Sequence, residues 1–109
     1  MPGDCFRING RDNVATMLTS SDVGPTKVRN SNDINSVQLL EPIELGHKVA
    51  LVDIAIGEAI IKFGVPIGTA SQPIRSGAWV HLHNCMSSFD ARSGTLDPHS
   101  GATTDTRYE

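Results

Sequence analysis

The side chains with the sharpest chemical potential lie near the end of the apolar part of the chain. His81 and His83 stand two residues apart, with Trp79 two positions before and Cys85 two positions after. Residues i and i+2 of a β-strand project from the same face, so a strand through this segment puts both imidazoles, the indole and the thiol on one side. Imidazole and thiolate groups on a common face are donors for a metal such as zinc or iron, and His47 supplies a third imidazole where its strand lies next door. The same spacing also suits histidines packed and hydrogen-bonded beside a tryptophan, and both roles stay open. No further catalytic apparatus is legible. The chain has no Ser-His-Asp arrangement, no phosphate-binding glycine loop and no Cys-x-x-Cys pair, so no catalytic residue is assigned.

The elements that must position these residues read as short strands. Residues 5–9, 13–18, 37–40, 46–54, 58–63, 65–70 and 79–84 are rich in apolar, β-branched or aromatic residues and are closed by Gly, Pro or polar turns. Residues 20–36 carry Asp22, Gly24, Pro25, Asn30, Asn32 and Asn35 and read as a loop with a brief strand at 27–29. Helical periodicity is almost absent, so the expected class is all-β. From Met86 onward Ser, Thr, Asp, Gly and Arg dominate, a composition that buries too little surface to offset the entropy of ordering. The expected organisation is one domain over 1–86 and a flexible, disordered C-terminal tail or linker over 87–109.

Within the dense part the chain repeats itself. The octet from Asp53 to Ile60 is echoed by the octet from Pro73 to Val80, with Ile and Gly in the same places at an offset of 20 residues. A fainter copy is expected near Asp22, Gly24 and Val28. Each unit implies a strand, a turn through a glycine at positive φ, and a returning strand.

Composition narrows the function classes. A chain of 109 residues with nine basic and twelve acidic side chains has a formal charge of −3 and no run of Lys or Arg longer than a dipeptide, which argues against nucleic acid as a partner. No apolar stretch is long enough to span a bilayer, and residues 1–11 lack the basic-then-apolar order of a signal peptide. A cytoplasmic protein is expected, with Cys5 and Cys85 as free thiols. At this length a core leaves little room for an enclosed catalytic pocket, so an active site is expected to be shared. Exposed strand edges leave homo-oligomerisation open.

Three segments together carry a family resemblance: Arg11-Asp12-Asn13-Val14-Ala15, then Gly46 through Ile54, then Ile61-Lys62-Phe63-Gly64-Val65-Pro66-Ile67-Gly68 leading to Trp79-Val80-His81-Leu82-His83-Asn84. In order and spacing, from about Phe6 to Asn84, the chain resembles the SAF-type domain that opens the altronate and galactarate dehydratases, a β-clip of short strands. The resemblance implies a carbon-oxygen lyase (hydro-lyase) acting on a sugar acid, or loss of sulfite from sulfolactate, usually with a divalent metal (Fe, Mn or Zn) held with a large catalytic subunit. Proton abstraction α to a carboxylate and loss of a β-substituent would be the chemistry, carried mostly by that large subunit. This chain would then be the separate small subunit or N-terminal domain, assisting substrate binding or gating. Alternatives are a stand-alone binding module for sugar acids or a metal, and a structural oligomerisation domain.

Within the resembling segments, Lys48 and Lys62 are the expected substrate-binding residues, since an ammonium group pairs with a substrate carboxylate or with acidic groups of the large subunit. His47, His81 and His83 are the expected metal ligands. Asp12 and Asn13 are expected to bond their own local turn. Asn9 departs from the family pattern, in which many members carry His there, and this puts any role of that His in doubt.

Overall fold

A computed structural model of the chain describes residues 3–87, and among them there are strands and turns but no helix. The all-β expectation therefore holds. Strands β1 (Gly3–Phe6), β2 (Val14–Met17), β3 (Gly24–Arg29), β4 (Ser36–Leu39), β5 (Lys48–Ala50) and β8 (Trp79–Val80) form one curled sheet in the order β4-β3-β1-β2-β5-β8. Strands β6 (Ala59–Lys62), β7 (Val65–Ala70) and β9 (Cys85–Ser87) form a second. All pairings are antiparallel except β1 with β3. Apart from Ser87, the last residue of β9, the expected tail over 87–109 lies outside the described residues.

The large sheet curls until its two edges approach, giving a half-barrel. Leu40 N–H donates to Gly77 O at 3.0 Å and Trp79 N–H to Glu41 Oε2 at 3.1 Å, tying the end of β4 to the entry of β8. Gly77 permits this approach, because a Cβ there would lie 1.8 Å from the backbone oxygen of Gln38.

Two apolar cores lie on either side of a shared seam. Ala15 and Val49 belong to one, with Cys5, Met17 and Leu39; their neighbours Val14 and Ala50 belong to the other, with Ile54, Ile60 and Val80. Alternate residues of β2 and β5 point to opposite faces and both faces are covered, which is why these strands read as continuous apolar runs.

The repeat is real in three dimensions and has a third copy. Ile54 and Ile74 bridge each other through reciprocal N–H···O bonds of 2.7 and 2.8 Å, and both are buried. The matching unit is Ile43 to Val49, offset by 11 residues: Gly46, Gly57 and Gly77 have φ of 88°, 86° and 92°. The turn bonds are also equivalent, from His47, Glu58 and Ala78 N–H to Glu44, Ala55 and Arg75 O at 3.1, 3.0 and 3.0 Å. The common signal is Ile-x-x-Gly. The expected copy near Asp22 is instead part of an extended element, since Gly24 starts β3 and pairs with Leu39. Pro25 is tolerated in that strand and the loop expected over 20–36 is correspondingly shorter.

Candidate functional site

Two clusters of polar side chains stand at opposite ends of β2. At its start Asp12, only 1% exposed, accepts three backbone N–H groups: Asn9 at 3.0 Å, Phe63 at 3.2 Å and Gly64 at 2.8 Å. Asn13 completes the staple, its Nδ2 donating to Ala59 O at 2.9 Å and its Oδ1 accepting Ile61 N–H at 2.8 Å. The local turn bond expected for Asp12 is present, but most of the staple reaches some fifty residues along the chain, to the β6–β7 hairpin. That hairpin turns on Phe63 and Gly64, with φ of 61° and 76°, the two positive values of a type I′ turn. Asn9 lies against this turn: a Cβ on Gly64 would meet Asn9 Nδ2 at 2.9 Å, and Asn9 Oδ1 accepts Arg11 N–H at 2.9 Å. Buried Arg7 braces the same corner, its Nε donating to Asp12 O at 3.0 Å and its Nη1 to Ser31 Oγ at 3.1 Å and to the Asp33 carboxylate. The hydrogen bond from Arg7 holds the Asp33 carboxyl below its usual range.

Lys62 belongs to this end. It is half-buried, with Nζ 5.0 Å from the centre of the Phe63 ring, a cation–π contact at the hairpin tip. Lys48 is elsewhere. It is 7% exposed, opposite Thr16 and Val80 in the sheet, rather than an outward-facing solvated lysine. Its charge is felt at Cys85, whose thiol is pushed up by burial while the Lys48 ammonium pulls it down. Cys5, enclosed in the first core, is pushed up to about 12 by burial and by the Asp4 carboxylate.

At the far end of β2, where Met17 N–H donates to His47 O at 2.8 Å, three imidazoles gather around Trp79. The His47 and Trp79 rings meet edge-on at 5.5 Å, His81 stacks on the indole at 4.8 Å and 14°, and His83 leans on it at 5.1 Å. The indole Nε1–H donates to His47 Nδ1 at 3.2 Å, so the proton of a neutral His47 sits on Nε2.

The sequence placed these histidines together for a different reason from the one that operates. The strand expected over 79–84 ends at Val80, and the next four residues turn. Asn84, 5% exposed, holds that turn: its Oδ1 accepts His81 N–H at 2.9 Å and its Nδ2 donates to Trp79 O at 2.8 Å. Gln72 Nε2 fixes the tip through His83 O at 2.6 Å. Cys85 leaves the histidine face altogether, pairing with Ala70 in β9 and packing on the second core. The polar side chain of Asn84 outcompetes strand continuation by folding back to satisfy two backbone groups at the entry of the turn.

Among the described residues no three His, Cys, Asp or Glu side chains are arranged to hold an ion, and His47 Nδ1 already accepts the indole proton. What the arrangement offers is a surface of imidazole N–H and aromatic edges, able to hydrogen-bond an oxygen-rich or anionic group. Asn84 and Trp79 are the residues sequence reasoning undervalued. Their signal was the pair of histidines they frame.

Comparison with known proteins gives these residues a context. The family model described as the altronate/galactarate dehydratase SAF domain matches residues 4–88. The altronate dehydratase of Escherichia coli is 45% identical over 79 residues, covering 72% of this chain and 15% of that protein. The altronate dehydratase of Bacillus subtilis is 36% identical over the same length, with the same coverage of 72% and 15%. The (2R)-sulfolactate sulfo-lyase subunit alpha of Chromohalobacter salexigens is 45% identical over 47 residues, which is 43% of this chain and 50% of that protein. The chain thus spans 15% of the length of the two altronate dehydratases it matches.

Proposed function

This chain belongs to the altronate/galactarate dehydratase SAF-domain family, and on that premise we propose that it is the auxiliary module of a sugar-acid dehydratase, helping a larger catalytic body to bind or enclose its substrate. The observation that carries the reading is the match over residues 4–88 to a domain that occupies only a small part of the relatives it resembles. The supporting geometry is a fixed turn that presents His81 and His83 around Trp79, backed by His47. Such a surface is suited to orienting a polyhydroxy acid. The half-buried ammonium of Lys62, on the clamped hairpin, is suited to a substrate carboxylate or an acidic group of the larger body. Lys48 is buried, and its charge acts on Cys85.

The test is a dehydratase assay on the assembled enzyme with a panel of sugar acids, comparing wild type with His81→Asn, His83→Asn and Lys62→Gln. The expected result is recovery of a lyase chain with the tagged module, activity lost on omitting the module, and a raised KM in the three variants. Recovery of the module alone, or activity indifferent to its presence, would overturn the reading.

A further inference from the structure

The corner where β2 leaves the sheet and the first Ile-x-x-Gly turn begins carries four exposed aliphatic side chains. Leu18 is 44%, Val23 57%, Leu40 49% and Leu45 61% exposed. The backbone brings them together. Gly46 N–H donates to Met17 O at 2.9 Å, which sets Leu45 beside Leu18, and Leu45 N–H donates to Ser20 Oγ at 2.9 Å. The pairing of Gly24 with Leu39, continued by one residue, sets Val23 across from Leu40. Between the two pairs runs the Ser21–Ile43 bridge, closed by reciprocal bonds of 2.9 Å. It floors an open groove of about 330 Å³ lined by Ser20, Ser21, Asp22, Pro42, Ile43 and Glu44, the segments that separate one aliphatic pair from the other.

Scattered single aliphatic residues at a surface are ordinary, whereas two paired sets flanking the segments of one groove mark a site that another surface covers. The charge at this site selects the partner. The charged side chains lining the groove are Asp22 and Glu44, both exposed carboxylates, with no Lys or Arg among the lining residues. A second copy of the chain would set these acids against each other, which disfavours self-docking through this face. A nonpolar surface bordered by cations fits it, with the apolar groups covering the leucines and the cations meeting Asp22 and Glu44.

We propose that the face formed by Leu18, Val23, Leu40 and Leu45, edged by Asp22 and Glu44, is where the module docks on the larger catalytic body of its dehydratase, through a nonpolar patch of that body bordered by Lys or Arg. This rests on the auxiliary-module reading above.

A photo-cross-linking amino acid placed singly at Val23, Leu45, Phe63 or Met86 in cells of the source organism tests it, with the captured peptide sequenced. All four positions are exposed, so the fold tolerates the probe, and Trp79 fluorescence checks it. The expected result is capture of a lyase body, on the same or a separate chain, from Val23 and Leu45, through a peptide that carries Lys or Arg beside apolar residues. Leu45→Glu should weaken that association at least tenfold, and Asp22→Ser with Glu44→Gln should flatten its salt dependence. Capture of the lyase body only from Phe63 or Met86, capture of a second copy from Val23, or a contact peptide lacking basic residues overturns the docking face while leaving the auxiliary role intact. Absence of any lyase body at all four positions overturns both.

Discussion

Removing the Asp12 carboxylate tests the claim that one buried acid holds the β6–β7 hairpin to the rest of the domain. In Asp12→Ala the backbone is unchanged, so Arg7 Nε keeps its acceptor at Asp12 O, but the N–H groups of Asn9, Phe63 and Gly64 lose theirs. An orphaned donor costs ~1–3 kcal/mol, and more where the lost acceptor was charged. Asn9 and Phe63 are exposed and Gly64 is partly so, enough for water to replace the carboxylate, which puts each of the three at the lower end. The total is about 3 kcal/mol, equivalent to a fall of roughly 12–24 °C in Tm for a domain this small. Asp12→Asn keeps one oxygen acceptor but opposes the remaining donors with its own N–H, so about half that loss is expected. Urea unfolding followed by Trp79 fluorescence gives the free energies. Hydrogen exchange gives the location: the Phe63 and Gly64 amides should lose protection before those of β3 and β4. A loss below about 1 kcal/mol for Asp12→Ala, or protection lost evenly across both sheets, would refute the staple.

Other consequences are equally direct. Gly57→Ala and Gly77→Ala both force a left-handed φ on alanine, yet a Cβ at 57 meets nothing within 4 Å whereas at 77 it lies 1.8 Å from Gln38 O. About 1 kcal/mol is expected for the first and more than about 3 kcal/mol for the second in denaturant titrations, because only the second pries β8 from β4. Phe63→Asn should stabilise the domain by about 1 kcal/mol in the same assay, since Asn adopts positive φ more readily than Phe and Asn-Gly is the favoured type I′ pair. Cys5, held up to about 12 mainly by burial, should react with thiol reagents far more slowly than half-buried Cys85 at neutral pH. Its neutral thiol favours the fold fully below the ordinary value of 9.0, and this contribution is lost as pH rises from there toward about 12. Cys5→Ala should remove that part of the alkaline loss of stability.

Much of the architecture was legible from local chemistry. Alternation, β-branched residues and Gly or Pro closures located β2, β6 and β7 closely, because each is defined by its own residues and the turns beside it. The Ile and Gly shared by the units from Asp53 and Pro73 correctly marked equivalent turns, since a glycine at positive φ is a local requirement. The third unit at Ile43 escaped notice because its spacing along the chain differs from theirs. Residues 79–84 read as a strand through the same local rules, and were misread because Asn84 makes its bonds by folding back on Trp79 and His81.

What the sequence by itself determined was the class of fold, the short strands and the polar side chains it carries among them. The tertiary structure decided which of them meet. His47 joins His81 and His83 only because β5 and β8 pair, while Lys48, its neighbour in sequence, is turned to the opposite face by the alternation of the same strand. Asp12 became a staple as well as a turn residue because the β6–β7 hairpin, some fifty residues on, brings two further N–H groups to its carboxylate. Hydrogen-bond satisfaction of that kind depends on approach between distant segments, and a linear pattern of residue types does not contain it.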